Sequence, residues 1–98
     1  MATPVVSVIL SVYNGEAELS ECLESLARQT LTDIEIIVVN DGSTDGTMEI
    51  LRDNSDRRVI VLDNERNRGL TPSLNRALAN ARAKVVARID ADDRALPN

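Results

Sequence analysis

The sequence contains no histidine, tryptophan or phenylalanine, and its one cysteine is Cys22. Without histidine, the chain cannot by itself form a Ser-His-Asp triad, a Cys-His pair or a histidine-ligated zinc site. A single cysteine also excludes an intrachain disulfide and a thiolate metal cluster. Because Cys22 falls at an apolar position of a helical pattern, we predict a small buried core residue rather than a nucleophile.

Aromatic residues and positive charge are also scarce. Tyr13 is the only aromatic residue and the net charge is -5, a combination that argues against nucleic acid as a partner. The charge is uneven, since residues 1–56 hold 2 basic and 11 acidic residues whereas residues 57–98 hold 9 basic and 5 acidic ones. The later segment is therefore compatible with an anionic ligand.

Long apolar runs are missing as well. No stretch approaches the ~18 consecutive apolar residues of a membrane span, and the N-terminus lacks the pattern of a signal peptide. We therefore expect a soluble, cytoplasmic protein. With 43% hydrophobic residues in 98 positions, the chain is suited to one small domain with an aliphatic core.

Short apolar runs rich in β-branched residues alternate with segments of helical periodicity. The predicted strands are 4–12, 34–39, 59–62 and 85–89, and the predicted helices are 16–29, 47–53 and one with Thr71 as N-cap and Pro72 at its first position. This βαβαβαβ order predicts a Rossmann-like three-layer α/β/α sandwich with a parallel sheet. Because the last residues complete no element, we expect residues 1–98 to be the first part of a longer domain.

An acidic cluster, Asp90-Ala91-Asp92-Asp93, follows the fourth strand directly. Ligands of open parallel sheets bind at the carboxyl ends of the strands, where the strand order reverses. In the order 3-2-1-4, this cluster would share one crevice with 11–14 and 41–43. Neighbouring carboxylates repel one another unless they meet water or a cation, and Mg²⁺ or Mn²⁺ prefers such oxygen ligands. We expect Asp92 at the metal, Asp90 near a sugar or ribose and Asp93 in support; solvated surface charge is the alternative.

Two further features have a structural and a functional interpretation. The stretch 42–47 is rich in glycine but lacks the lysine of a phosphate-binding loop, so it is predicted to be a turn that caps the second helix. Arg88, on a strand predicted to be buried, needs a partner. Strand alternation favours pairing with Asp90, and an ion pair unconnected with substrate is the alternative.

Four motifs carry a family resemblance: 6–14, 25–30, 35–47 and the acidic cluster 90–93. In this order and spacing they resemble the start of a family 2 glycosyltransferase of the GT-A fold, over nearly the whole chain. The resemblance implies a nucleotide-diphosphate-sugar donor, with UDP the commonest nucleotide, a divalent metal such as Mn²⁺ or Mg²⁺, and transfer with inversion.

The resemblance also implies roles for individual residues. Ser11 and Tyr13 would border the nucleobase, and Asp41 would accept a hydrogen bond from it. Asp90 would approach the ribose, and Asp92 would bind the metal that bridges the phosphates.

A basic residue near the third helix, Arg68 or Arg76, would contact the donor. Asn40 departs from the aspartate that the family often has at this position, which removes one charge beside Asp41.

The rest of the reaction is expected outside this segment. The resemblance implies a catalytic base downstream of Asn98, a saccharide or lipid-linked acceptor, and a role in polysaccharide or cell-envelope synthesis at the inner face of the membrane, with any membrane contact made by regions outside residues 1–98. The chain alone would then bind nucleotide weakly without transferring sugar. The alternatives are a nucleotidyltransferase, for which the expected basic glycine-rich loop is missing, and a non-catalytic nucleotide-binding module.

Overall fold

The computed structural model describes residues 3–28 and 33–90. The strands are β1 (Val6–Val12), β2 (Ile34–Asp41), β3 (Val59–Asn64) and β4 (Val85–Arg88), and the helices are α1 (Glu16–Ala27), α2 (Thr47–Asp53) and α3 (Leu70–Ala79). All seven predicted elements are therefore confirmed. In the described ranges, no helix has the length and apolar character that crossing a bilayer requires.

The strands form one parallel sheet in the order β3-β2-β1-β4. This order confirms the predicted topology and its reversal between β1 and β4. All four strands point the same way, so their carboxyl ends meet along one edge of the sheet. That edge carries the candidate site.

Each face of the sheet has its own helices because side chains alternate along a strand. On one face, Leu10 and Ile36 pack with Leu19 and Leu23 of α1 in the larger apolar core. On the other face, Ile9, Ile37 and Val39 pack against Ala77 of α3. Cys22 is buried in the first core, as predicted. The layers are thus α1 and α2, the sheet, and α3.

Two strands extend into polar residues that the apolar pattern assigns to turns. β2 continues through Asn40 and Asp41, which pair with Asp63 and Asn64 of β3. Asn40, Asp41 and Asn64 are buried. Polar side chains therefore lie inside the sheet at its carboxyl edge.

The start of α3 differs from the prediction. Gly69, with φ of 97°, is the N-cap, whereas Thr71 lies within the helix. Gly69 has no side chain that could accept a hydrogen bond from the first N–H groups of α3. The Asp41 carboxylate accepts from the N–H groups of Arg68 and Gly69, which precede the helix, and so holds the residues that lead into α3.

β4 is also unlike the predicted buried strand. Within the described residues it pairs only with β1, and its residues Val85 and Val86 are exposed. The Arg88 side chain is 52% exposed. The premise that Arg88 lies on a buried strand was therefore wrong, because no described helix covers β4.

Candidate functional site at the carboxyl edge of the sheet

Ser11 and Tyr13 lie at the carboxyl end of the central strand β1 and in the turn that follows it. Ser11 is partly buried and pairs in register with Val39, whereas the Tyr13 side chain is 50% exposed. Since β2 and β4 flank β1, these two residues lie between Asp41 on one side and Asp90 on the other. The carboxyl ends of β2, β1 and β4 therefore lie side by side, and a ligand crevice between them stays a prediction.

Asp41 is held by the chain itself. Its carboxylate is buried and accepts hydrogen bonds from Asn64 Nδ2 at 2.9 Å, Asn67 Nδ2 at 3.1 Å and the backbone N–H groups of Arg68 at 2.7 Å and Gly69 at 3.0 Å. A carboxylate has about four lone-pair sites. These donors therefore fill its capacity and fix the β3–α3 loop over the end of β2.

These hydrogen bonds determine the charge state of Asp41. Burial raises the pKa of its carboxyl group, but the N–H of Arg68, the Asn64 amide and the N–H of Gly69 outweigh it, so the pKa lies below its ordinary value. Asp41 is ionised at neutral pH. It supplies a fixed negative charge beneath the loop.

Gly42 allows the close approach of that loop. Its φ is 71°, and a Cβ atom there would lie 2.4 Å from both Arg66 C and Asn67 N. These are backbone atoms, which cannot move aside as a flexible side chain can. Only glycine fits between the end of β2 and the β3–α3 loop.

The loop after β1 and the loop after β2 are joined by a second set of hydrogen bonds. Asn14 Oδ1 accepts from Thr44 N at 2.7 Å and Asp45 N at 3.3 Å, while Gly15 N donates to Thr47 Oγ1 at 3.0 Å. Asp45 accepts from Thr47 N at 3.0 Å. The prediction that 42–47 forms a turn capping the second helix is confirmed.

Asn40, the departure from the family pattern, also serves this turn. Its side chain is buried, and its Oδ1 accepts a hydrogen bond from Ser43 N at 3.3 Å. An amide at this position thus closes the turn after β2.

Arg68 and Arg76 line one polar cavity beside the end of β3. Asp63, Asn64, Glu65 and Pro72 complete the lining, and the cavity volume is about 450 Å³. Arg76 Nη1 donates to Asp63 O at 2.8 Å and Asn64 Oδ1 at 2.7 Å. Both candidate arginines therefore lie on the β3 side of the edge, away from β4.

At the other end of the edge, Arg88 Nη2 lies 3.5 Å from Asp90 Oδ1, so the structure contains the predicted pair. Both side chains are more than half exposed, and such a pair contributes little to stability. The Cys22 thiol lies 3.8 Å from the Asp90 carbonyl oxygen, a weak contact between α1 and the end of β4.

Asp92 and Asp93 lie outside the described residues. Over ranges 3–28 and 33–90, no three histidine, cysteine, aspartate or glutamate side chains form a group able to hold a metal ion. The one described carboxylate of the motif, Asp90, is exposed at the carboxyl edge, where an oxygen ligand suits a hard cation. The described residues therefore supply one exposed carboxylate at this edge and no complete cation site.

Sequence reasoning missed three asparagines that build this edge. Asn14 anchors the loop after β2, and Asn64 and Asn67 hold Asp41. The only local signal was Asn14-Gly15 after an apolar strand, and Asn14 does adopt a positive φ of 50°. Nothing local marks the partners of Asn64, because they lie on β2 and α3.

This is the architecture of an α/β nucleotide-binding domain, with polar loops gathered where the strand order reverses. The family model for glycosyl transferase family 2 matches residues 7–98, and the chain belongs to that family. It is 44% identical to an uncharacterized glycosyltransferase of Haemophilus influenzae, covering 97% of this chain and 30% of that protein. It is also 44% identical to the putative glycosyltransferase EpsH of Bacillus subtilis, covering 95% of this chain and 27% of EpsH.

Solved structures are similar over the same segment. Staphylococcus aureus TarS in complex with UDP-GlcNAc has a TM-score of 0.86 at 36% identity, covering 92% of this chain and 27% of that one. The mannosyltransferase PcManGT of Pyrobaculum calidifontis, in complex with GDP-Man and Mn²⁺, has a TM-score of 0.84 at 30% identity, covering 94% of this chain and 28% of that one. The GT-A fold is thereby confirmed. The chain spans 27–30% of the length of these four relatives.

Proposed function

We propose that this chain is the donor-binding part of an inverting, metal-dependent glycosyltransferase that uses a nucleotide-diphosphate sugar. The observation that carries the proposal is the gathering of Tyr13, Asp41 and Asp90 at one edge of the sheet in a member of glycosyl transferase family 2. The related structures in complex with UDP-GlcNAc and with GDP-Man and Mn²⁺ support the same kind of ligand.

The nucleobase lies at the β2–β3 end of the edge. Ser11 and Tyr13 border it, Asp41 accepts a hydrogen bond from it, and Arg68 or Arg76 contacts the donor from the polar cavity. The phosphates point towards β4. The three strand spacings from β3 to β4 amount to about 14 Å, which suits an extended nucleoside diphosphate.

Asp90 binds the ribose or sugar and Asp92 holds Mn²⁺ or Mg²⁺, with Asp93 in support. A bound divalent ion would neutralise charge on the diphosphate and so stabilise it as the leaving group. Arg88 keeps Asp90 oriented through their ion pair. The carboxylates thus serve the leaving-group half of the reaction.

The other half belongs to residues beyond Asn98. A carboxylate there removes the proton from the acceptor hydroxyl, and a saccharide or lipid-linked acceptor binds there. The whole protein works in the cytoplasm at the inner face of the membrane. Residues 1–98 alone bind the donor without transferring its sugar.

The proposal is tested by thermal unfolding of the 98-residue chain with UDP, GDP and UDP-GlcNAc, each with and without Mn²⁺. At ten times Kd, a ligand that binds only the folded chain stabilises it by about 1.4 kcal/mol, which raises Tm by about 5–10 °C. We expect this shift to require Mn²⁺ and to be lost in Asp92→Asn. The matched control Asp53→Asn, on the exposed side of α2, should keep it.

Each part of the proposal has its own contradicting result. No shift with any nucleotide would overturn donor binding by this segment. An unchanged shift in Asp92→Asn would remove Asp92 from the metal. Transfer of sugar by the 98-residue chain would show that the base lies within it.

A further inference from the structure

A buried carboxylate, Glu35, lies near the amino end of β2, far from the candidate site. Its Oε2 accepts hydrogen bonds from Ser7 Oγ at 2.5 Å and Arg82 N at 2.6 Å, and its Oε1 accepts one from Arg82 Nε at 2.9 Å. Ser7 Oγ in turn accepts one from Ala83 N at 3.0 Å. One carboxylate on β2 thus reaches past β1 to the segment that leads into β4.

Within the described residues, burial gives β4 little information about its register. Alternation of side chains fixes a register only where one face is buried and the other is not. Val85 and Val86 point to opposite faces and are both exposed, at 56% and 37%. A shift by one residue would bury neither face better, but it would move Arg88 to the opposite face of the sheet.

We propose that Glu35, together with Ser7, is a positioning residue that fixes the register of β4 and so holds Arg88 and Asp90 at the candidate site. The fixed point lies two residues before β4, since Arg82 and Ala83 are bound at their backbone N–H groups. The consequence for donor binding rests on the proposed function; the consequence for register does not.

The far end of β4 has its own attachment. Ile89 N donates to Ile9 O at 3.2 Å, and the Ile89 side chain packs against the apolar core beneath α1. β4 is therefore held at both ends and left exposed in between. Without the Glu35 contacts, β4 would keep its pairing with β1 and its attachment at Ile89 but would lose the fixed point at its amino end.

The chemistry of Glu35 suits this role. An ionised carboxylate is an acceptor only and takes all three donors. Burial raises the pKa of Glu35, but the hydrogen bonds from Ser7 and Arg82 outweigh it and hold the pKa below its ordinary value. In Glu35→Gln, an NH₂ group would face one of these donors, so one hydrogen bond is lost without a large change in volume.

Amide hydrogen exchange on Glu35→Gln tests the register. We expect exchange of the β4 amides to rise by about tenfold relative to the β2 and β3 amides. The control Leu51→Ala removes a buried side chain of α2. It should not raise amide exchange in β4 more than in β2 and β3. An equal rise across all strands, or no rise in β4, would overturn the proposal.

Mn²⁺-dependent affinity for UDP tests the consequence for the site. Glu35→Gln should weaken it by about fivefold through misplacement of the acidic motif, and Leu51→Ala should leave it unchanged. Selective β4 exchange with unchanged affinity would overturn the positioning role.

Two further results separate the proposals. If the native chain binds none of UDP, GDP and UDP-GlcNAc, the proposed function fails and the exchange experiment still decides the register. If Glu35→Gln does not fold, Ser7→Ala takes its place in both experiments. Ser7→Ala keeps the hydrogen bonds between Arg82 and Glu35, so the rise in β4 exchange and the loss of UDP affinity should be smaller.

Discussion

Asp41 has two roles to reconcile, a predicted contact with the nucleobase and an observed one in fixing the β3–α3 loop. The family resemblance assigns its carboxylate to the nucleobase, while the structure gives that carboxylate four donors from the β3–α3 loop. The base contact stays a prediction, and it requires the base to displace or share one of these four donors. What the structure adds is that any ligand at this position meets a loop whose backbone is fixed by Asp41, including the segment that carries Arg68.

The fit of Gly42 against this loop gives a prediction for a single residue. Gly42→Ala should lower the free energy of unfolding by about 2–4 kcal/mol, because the new Cβ adds left-handed strain and a clash with the backbone of Arg66 and Asn67. Urea unfolding measures the change. The control is Gly46→Ala, whose Cβ meets the ends of the flexible Glu16 and Glu49 side chains and no backbone, and which should cost about 1 kcal/mol or less. Equal losses in the two variants would contradict the backbone clash.

At the scale of elements, apolar periodicity predicted which helices and strands exist but not where they end. β2 and β3 run on into Asn40, Asp41 and Asn64, because these polar residues find partners across the sheet. The apolar pattern ends at Val39 and Leu62, and it contains no information about partners that lie on other strands. The start of α3 was misplaced for the same reason, since the residues before it are held by Asp41 on another element, β2.

The loops that open α1 and α2 are joined through Asn14, which gives a prediction about elements. Asn14→Ala should lower the free energy of unfolding by about 1–3 kcal/mol, since Thr44 N and Asp45 N lose their acceptor and alanine is strained at a φ of 50°. Asn14→Gly loses the same acceptor without the strain and should cost less. Chemical unfolding of both variants measures the two contributions. A glycine variant as unstable as the alanine variant would assign the whole effect to the hydrogen bonds.

For the whole molecule, the strand order and the shared carboxyl edge were predictable because alternating βα units in a parallel sheet allow few topologies. Tyr13, Asp41 and Asp90 could be assigned to one edge on that basis alone. The contacts of Glu35 were not predictable, since they join residues far apart in the chain and produce no periodic pattern in the sequence. The exposure of β4 was missed because its sequence is as apolar as that of the central strands.

The stability of the whole molecule should depend on pH only in acid. Glu35 and Asp41 have pKa values lowered from ordinary values of 4.5 and 3.8, so their stabilising hydrogen bonds are fully present above those values and are lost as pH falls through the folded-state values. With no histidine in the sequence, we expect the free energy of unfolding to be nearly constant from about pH 8 to 5 and to fall below about pH 4.5.

Urea unfolding between pH 7 and pH 3 measures this dependence. Glu35→Gln should start from a lower value and fall less steeply, because the variant has one fewer carboxylate to protonate. A variant that loses stability in acid as steeply as the native chain would show that Glu35 is not among the groups responsible.

The central position of β1 has a consequence for the order in which the chain folds. β2 and β3 follow β1 closely in the sequence, so a three-stranded unit can assemble as these segments leave the ribosome. The other side of β1 has no partner until β4 has been synthesised, because Ser7 pairs with Val86. Closing such a long loop slows folding. Among the described segments, the strand that leads to Asp90 therefore joins the sheet last, and the Arg82 and Ala83 contacts of Glu35 and Ser7 form only with it.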